Sequence, residues 1–130
     1  MENYQVLIID DEPDFLETVV NRLRRRKLEA IGVTSGEEGL ALLKTAPCDI
    51  VVLDVKMPGG MDGIEALKQI KKIRPEVQVI LLTGHACLET SMEGMRFGAF
   101  ECLLKPVKFE ELLIKLNAAY AHKKLLFPKS

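Results

Sequence analysis

No stretch of the chain stays apolar for anything near the roughly 20 residues that cross a bilayer; the longest runs, such as Ile50 to Leu53 and Val79 to Leu82, stop early. No membrane association is expected. Charge of one sign is also missing. Eighteen basic residues face 19 acidic ones, a net charge of −1, so no global field draws the protein onto nucleic acid or an anionic lipid surface, and direct nucleic-acid binding is not expected. Cysteine is scarce and odd in number. Cys48, Cys87 and Cys102 lack metal-ligand spacing, which fits free thiols in a reducing compartment, the cytoplasm, rather than a disulfide framework. The opening Met1-Glu2-Asn3-Tyr4 has neither the basic stretch nor the apolar block of a secretory signal, so export is not expected. Nucleotide-binding glycine patterns are absent, as are repeats and internal linkers. With 130 residues, 48% of them hydrophobic, the chain suits one domain with one substantial core.

What is present is a regular alternation. Val6 to Ile9 and Ile50 to Leu53 are continuous apolar runs, the pattern of strands covered on both faces, and Val77 to Leu82 is a third strong strand, apolar from Val79 on. Ala30 to Val33 is a weaker strand, and Phe100 to Leu104 a short one. Between them lie helical spacings. Pro13 suits a first helical position ahead of Phe15, Leu16, Val19, Val20 and Leu23, and the basic run Arg24 to Lys27 then complements a helix C-terminus. Ser35 with Glu38 resembles a capping box opening a helix to about Thr45. Ile64, Leu67, Ile70 and Ile73 mark a third helix, and Leu88 to Phe97 a fourth. Phe109 to about Leu125 is predicted as an amphipathic helix, with residues from about 121 to 130 its end or the start of a linker. Strict alternation with strands apolar throughout predicts a doubly wound α/β sandwich on a parallel sheet.

In such sheets ligands bind outside the carboxyl ends of the strands. Those ends carry Asp10-Asp11, Asp54, Thr83 and Lys105. Three carboxylates packed together repel one another unless a cation sits among them. Oxygen ligands without His or Cys nearby select a hard ion, Mg²⁺, over zinc. A carboxylate can itself attack phosphorus, and the charge that develops needs a metal, a cation and a hydroxyl donor around it. Asp54, Mg²⁺, Lys105 and Thr83 are that set.

The segments IIDDE at residues 8 to 12, VVLDVKMP at 51 to 58, LLTG at 81 to 84 and LLKP at 103 to 106 resemble the signatures of response-regulator receiver domains. Each is weak alone; their order and their places at strand ends make the likeness specific. The resemblance covers about Val6 to Leu116. It implies a flavodoxin-like fold with strand order 2-1-3-4-5. It also implies that Asp54 accepts a phosphoryl group, that Asp11 ligates Mg²⁺ directly and Asp10 mainly through water, and that the Lys56 backbone carbonyl completes the protein ligands. Thr83 matches the hydroxyl that bonds a phosphoryl oxygen, Lys105 the lysine that pairs with acceptor or phosphate, and Pro106 the residue after a cis peptide bond. The implied partners are a sensor histidine kinase or phosphotransfer protein and a downstream target or effector domain, with a homodimer possible on phosphorylation. Such a domain is not an enzyme on other substrates; it catalyses only its own phosphorylation and dephosphorylation.

Four features depart from the family pattern or tune it. Cys102 stands where receivers usually carry a Tyr or Phe whose ring swings inward on activation, so readout is expected through the loops and helix four, with Cys102 itself a packing residue. The loop from Met57 to Gly63 is one glycine longer than usual. Lys56 and His85, two residues after acceptor and threonine, occupy positions that tune phosphate lifetime. A lysine over the phosphoryl oxygens, and no carboxylate or amide at position 85 to orient water, predict slow autodephosphorylation. Two rivals remain at this level. A haloacid-dehalogenase-like phosphatase would need Asp-x-Asp after the first strand, where this chain has Asp10-Asp11-Glu12. A receiver-like binding module that never carries phosphate would not need the complete acidic cluster.

Overall fold

The architecture is that of a computed structural model, which describes residues 3–57, 59–84 and 88–128. Five strands, β1 (Gln5–Ile9), β2 (Glu29–Val33), β3 (Ile50–Asp54), β4 (Gln78–Thr83) and β5 (Glu101–Leu104), alternate with α1 (Pro13–Arg25), α2 (Gly36–Leu43), α3 (Gly63–Ile73), α4 (Leu88–Arg96) and α5 (Phe109–Leu126). All strand pairs are parallel, and the order is β2-β1-β3-β4-β5.

Side chains alternate across a strand, so each apolar run feeds two cores. Val6, Ile8, Ile50, Val52, Ile80 and Leu82 face α1 and α5; Leu7, Ile9, Val51, Leu53, Val79 and Leu81 face the opposite layer, where Leu43 of α2 and Leu67 and Ile70 of α3 cover them. The predicted helix starts hold. Pro13 opens α1; the Ser35 hydroxyl accepts from the Glu38 amide at 3.1 Å; and Asp62 caps α3 by accepting from the Glu65 amide at 2.9 Å.

Several bounds shift by a residue or two. α2 ends at Leu43 rather than near Thr45, and the Arg74 guanidinium donates to the carbonyl of Leu43 at its end and to that of Ala46 in the turn beyond. β4 runs from Gln78 and includes Thr83. α5 is not the cleanly amphipathic helix that the spacing predicts: Leu112, Leu116 and Ala119 are buried, but Ile114, Leu125 and Leu126 lie exposed. Its inward stripe is real, and apolar residues also occupy the outward side. α4 is the most lightly held helix, since among its described side chains only Gly94 is buried. It contacts β4 at that point, where a Cβ would stand 2.4 Å from Leu81 Cδ1.

Candidate functional site at the carboxyl end of the sheet

β1 and β3 are neighbours, so their carboxyl ends place Asp10 and Asp54 side by side. Asp10 is fully buried and Asp54 is 6% exposed. One carboxylate oxygen each from Asp10, Asp11, Glu12 and Asp54 falls within 4.8 Å of the others. This is an all-oxygen donor set without nitrogen or sulfur, and it fits a hard divalent cation. Asp10 has both oxygens engaged: Oδ1 accepts from the Glu12 amide at 2.9 Å, and Oδ2 from Lys105 Nζ at 2.7 Å. Asp11 is half-buried and is the more accessible aspartate of the pair.

β5 brings Lys105 across the top of the sheet, and the Lys105–Pro106 peptide bond is cis. The ammonium lies 2.7 Å from Asp10, 3.1 Å from Glu12 and 3.6 Å from Asp54, with the Phe15 ring centroid 4.8 Å away. Burial works against its charge, but hydrogen bonds to Asp10 and Glu12 outweigh that and hold its pKa above the ordinary lysine value. Asp54 is raised as well, which for a carboxylate favours the neutral form. Desolvation, then the charge of Asp10, push it up to about 6, with Lys105 and the Lys56 amide pulling against them. The Lys56 amide donates to Asp54 Oδ1 at 3.3 Å.

Thr83 is buried at the end of β4, one residue beyond Leu82, the register partner of Asp54. Its carbonyl accepts from the Lys105 amide at 2.7 Å. The structure therefore gathers Asp10, Asp11, Asp54 and Lys105 and sets Thr83 beside them. Lys56 is exposed and lines a groove with Asp62, Glu65, Thr90 and Glu93 between the loop after β3, α3 and α4. Cys102 is half-buried and packs with the α2–α3 core; the Ser91 hydroxyl donates to its sulfur at 3.4 Å. His85 lies outside the described residues.

Two neighbours of the site carry no role in the sequence reading. Glu12 sits inside the IIDDE segment and could have been noticed as a third acid beside the pair. Phe15 reads as a core position of α1, and nothing in its spacing points to a lysine 90 residues away in the chain.

The chain matches the response regulator receiver domain over residues 6–117. It belongs to that family. Among relatives it is similar to the transcriptional regulatory protein ZraR of Escherichia coli K12, with 32% identity over 121 residues, which are 93% of this chain and 27% of that protein. It thus spans about a quarter of the length of the curated relatives it matches. Among solved structures it is similar to a CheY-like receiver domain from Methanospirillum hungatei JF-1, with TM-score 0.90, 29% identity and coverage of 95% of this chain and 98% of that one. A receiver domain from Clostridium thermocellum gives TM-score 0.87 and 39% identity, covering 95% of this chain and 99% of that one. The receiver fold and family are those the strand-end motifs imply, and neither rival finds support. No helix among the described residues is long and apolar enough to cross a membrane.

Proposed function

We propose that this receiver domain takes a phosphoryl group on Asp54 from a histidine kinase or phosphotransfer partner and passes the change to an effector through its α4–β5 side. The observation that carries this is the position of Asp54: a buried carboxylate at a strand end, inside an acidic cluster, with a lysine 3.6 Å away. Mg²⁺, held by Asp11, Asp54 and the Lys56 carbonyl with Asp10 through water, would neutralise the cluster and the phosphoryl oxygens. One Asp54 oxygen attacks phosphorus in line, the new P–O bond forms as the donor's P–N bond breaks, and the imidazole leaves with the electron pair and takes up a proton. Lys105 and the Thr83 hydroxyl meet charge on the transferred group. Hydrolysis by water later returns Asp54 and phosphate.

The test uses acetyl phosphate or phosphoramidate with Mg²⁺, read by intact mass. The wild type gains one phosphoryl mass and Asp54→Asn gains none; absence of any Asp54-dependent gain would favour a module that acts by constitutive binding. Lifetime is read in the same experiment. Lys56 beside the acceptor obstructs the attacking water, so Lys56→Asn loses its phosphate several-fold faster than the wild type, and equal decay rates would reject that role.

Readout has to bypass Cys102, which is too small to show separate buried and exposed ring states. α4 carries exposed Met92 and Met95, and β5 exposed Leu104. Movement of the loops after β3 and β4 on phosphorylation alters this surface, the place for an effector contact or a phosphorylation-dependent homodimer.

A further inference from the structure

The N-cap residue of α1 does not cap. Glu12 stands there in extended backbone, and its side chain makes no hydrogen bond to the first amides of the helix. Its carboxylate turns to Lys105 instead, with Oε1 3.1 Å from Nζ. Three residues on, the Phe15 ring lies against the same ammonium at 4.8 Å from its centroid, within cation–π range. The first turn of α1 thus holds the lysine from two sides. Of the three carboxylates around Nζ, Asp54 at 3.6 Å is the most distant and the only one beyond hydrogen-bond reach.

We propose that Glu12 is a positioning residue that, together with Phe15, holds the Lys105 ammonium on the α1 side of the site and off Asp54. This rests on the reading of Asp54 as the phosphoacceptor. A phosphoryl group arriving on Asp54 must recruit Lys105 from where it stands, and one of its present partners has to let go. Asp10 is the poorer candidate to do so. Its side chain is 1% exposed, so a carboxylate left without the lysine there would be stranded out of water. Glu12 is 65% exposed, and water replaces the lysine at little cost. Release of Lys105 from Glu12 is therefore part of the route to the phosphorylated state.

The size and character of the effect follow from exposure. An ion pair this open changes an equilibrium by about two- to fivefold and weakens as salt is added. Two variants of the full chain separate the restraint from simple charge. Glu12→Gln removes the negative charge; Glu12→Asp keeps it on a stem too short to reach Nζ. Both are expected to accept phosphate from acetyl phosphate with Mg²⁺ about two- to fivefold faster than the wild type at low ionic strength, with the gap closing at high salt. A second readout needs neither metal nor donor. In ¹⁵N spectra of lysine ammonium groups, the Lys105 signal shifts in both variants and the signals of Lys115 and Lys123 stay in place. Acceleration in Glu12→Gln alone would mean that Glu12 merely repels the anionic donor, and would overturn the proposal. So would an unmoved Lys105 signal, or a slower variant whose Mg²⁺ titration is weakened, which would make Glu12 a metal ligand. Failure of the acceptor reading shows separately, as a wild type whose mass gain does not depend on Asp54.

Discussion

Asp54 is expensive to ionise where it sits, and this sets a stability signature independent of signalling. Its folded-state pKa of about 6 lies above the ordinary 3.8, chiefly through desolvation. A carboxyl whose pKa rises on folding binds its proton more tightly in the fold. Its contribution to stability is therefore greatest at low pH and is lost as pH rises from about 4 through about 6. In chelator, where no cation relieves the cluster, Asp54→Asn should be more stable than the wild type by about 1–3 kcal/mol above pH 7. The advantage should shrink as pH falls below 6 and vanish near 4, where the wild-type group is itself neutral. Urea unfolding of the two proteins across that range checks this. A variant no more stable than the wild type at neutral pH would mean that Lys105 already compensates the burial of Asp54.

At the scale of elements, the chemistry depends on how closely α3 is set against the end of β3. Gly63 opens α3, and a Cβ there would stand 2.5 Å from the Asp54 carbonyl oxygen and from Val55 Cα. Both are backbone atoms, which cannot swing aside as a side chain can. Gly63→Ala should cost about 3 kcal/mol in urea unfolding and slow phosphoryl uptake by displacing the acceptor strand end. Gly94→Ala meets only the tip of Leu81 and should cost less, with its effect on α4 seen as faster amide exchange across that helix. Strands and most helices were legible because runs such as Ile50 to Leu53 are buried on both faces and leave no polar alternation to misread. The site was legible because four strand ends carry chemistry in one order. What the one-dimensional pattern could not carry was side-chain direction. Glu12 reaching Lys105, and Ser91 reaching Cys102, depend on where helices dock and not on spacing within them. The outward apolar residues of α5 misled for the same reason. Periodicity assumes that exposed positions are polar, and this face departs from that.

Across the whole molecule, the chemistry is gathered at one end of the strands and much of the polar cohesion at the other. At that far end Asp49 accepts from the Gln5 amide at 2.8 Å and from Lys123 of α5, and the Tyr4 hydroxyl donates to Asn117 at 2.6 Å. Arg74 does most of the joining. Its Nε donates to Glu76 at 2.6 Å, Nη1 to the carbonyls of Leu43 and Ala46 at 3.0 and 3.2 Å, and Nη2 to that of Cys48 at 3.5 Å. One planar group thus ties the end of α3 to the end of α2 and to the turn before β3. Arg74→Ala removes the donors from these part-buried carbonyls and leaves Glu76 unpaired, at a cost of about 2–3 kcal/mol. Arg74→Lys should recover less than half of it, because a single ammonium cannot reproduce the fork that serves three carbonyls and a carboxylate at once. Since the defect lies at the amino end of the sheet, both variants should gain the Asp54 phosphoryl mass at the wild-type rate under conditions where they remain folded. Urea unfolding and intact mass on the same samples test the two halves together. A loss of uptake in folded Arg74→Ala would mean that the far end of the sheet is coupled to the acceptor through β3.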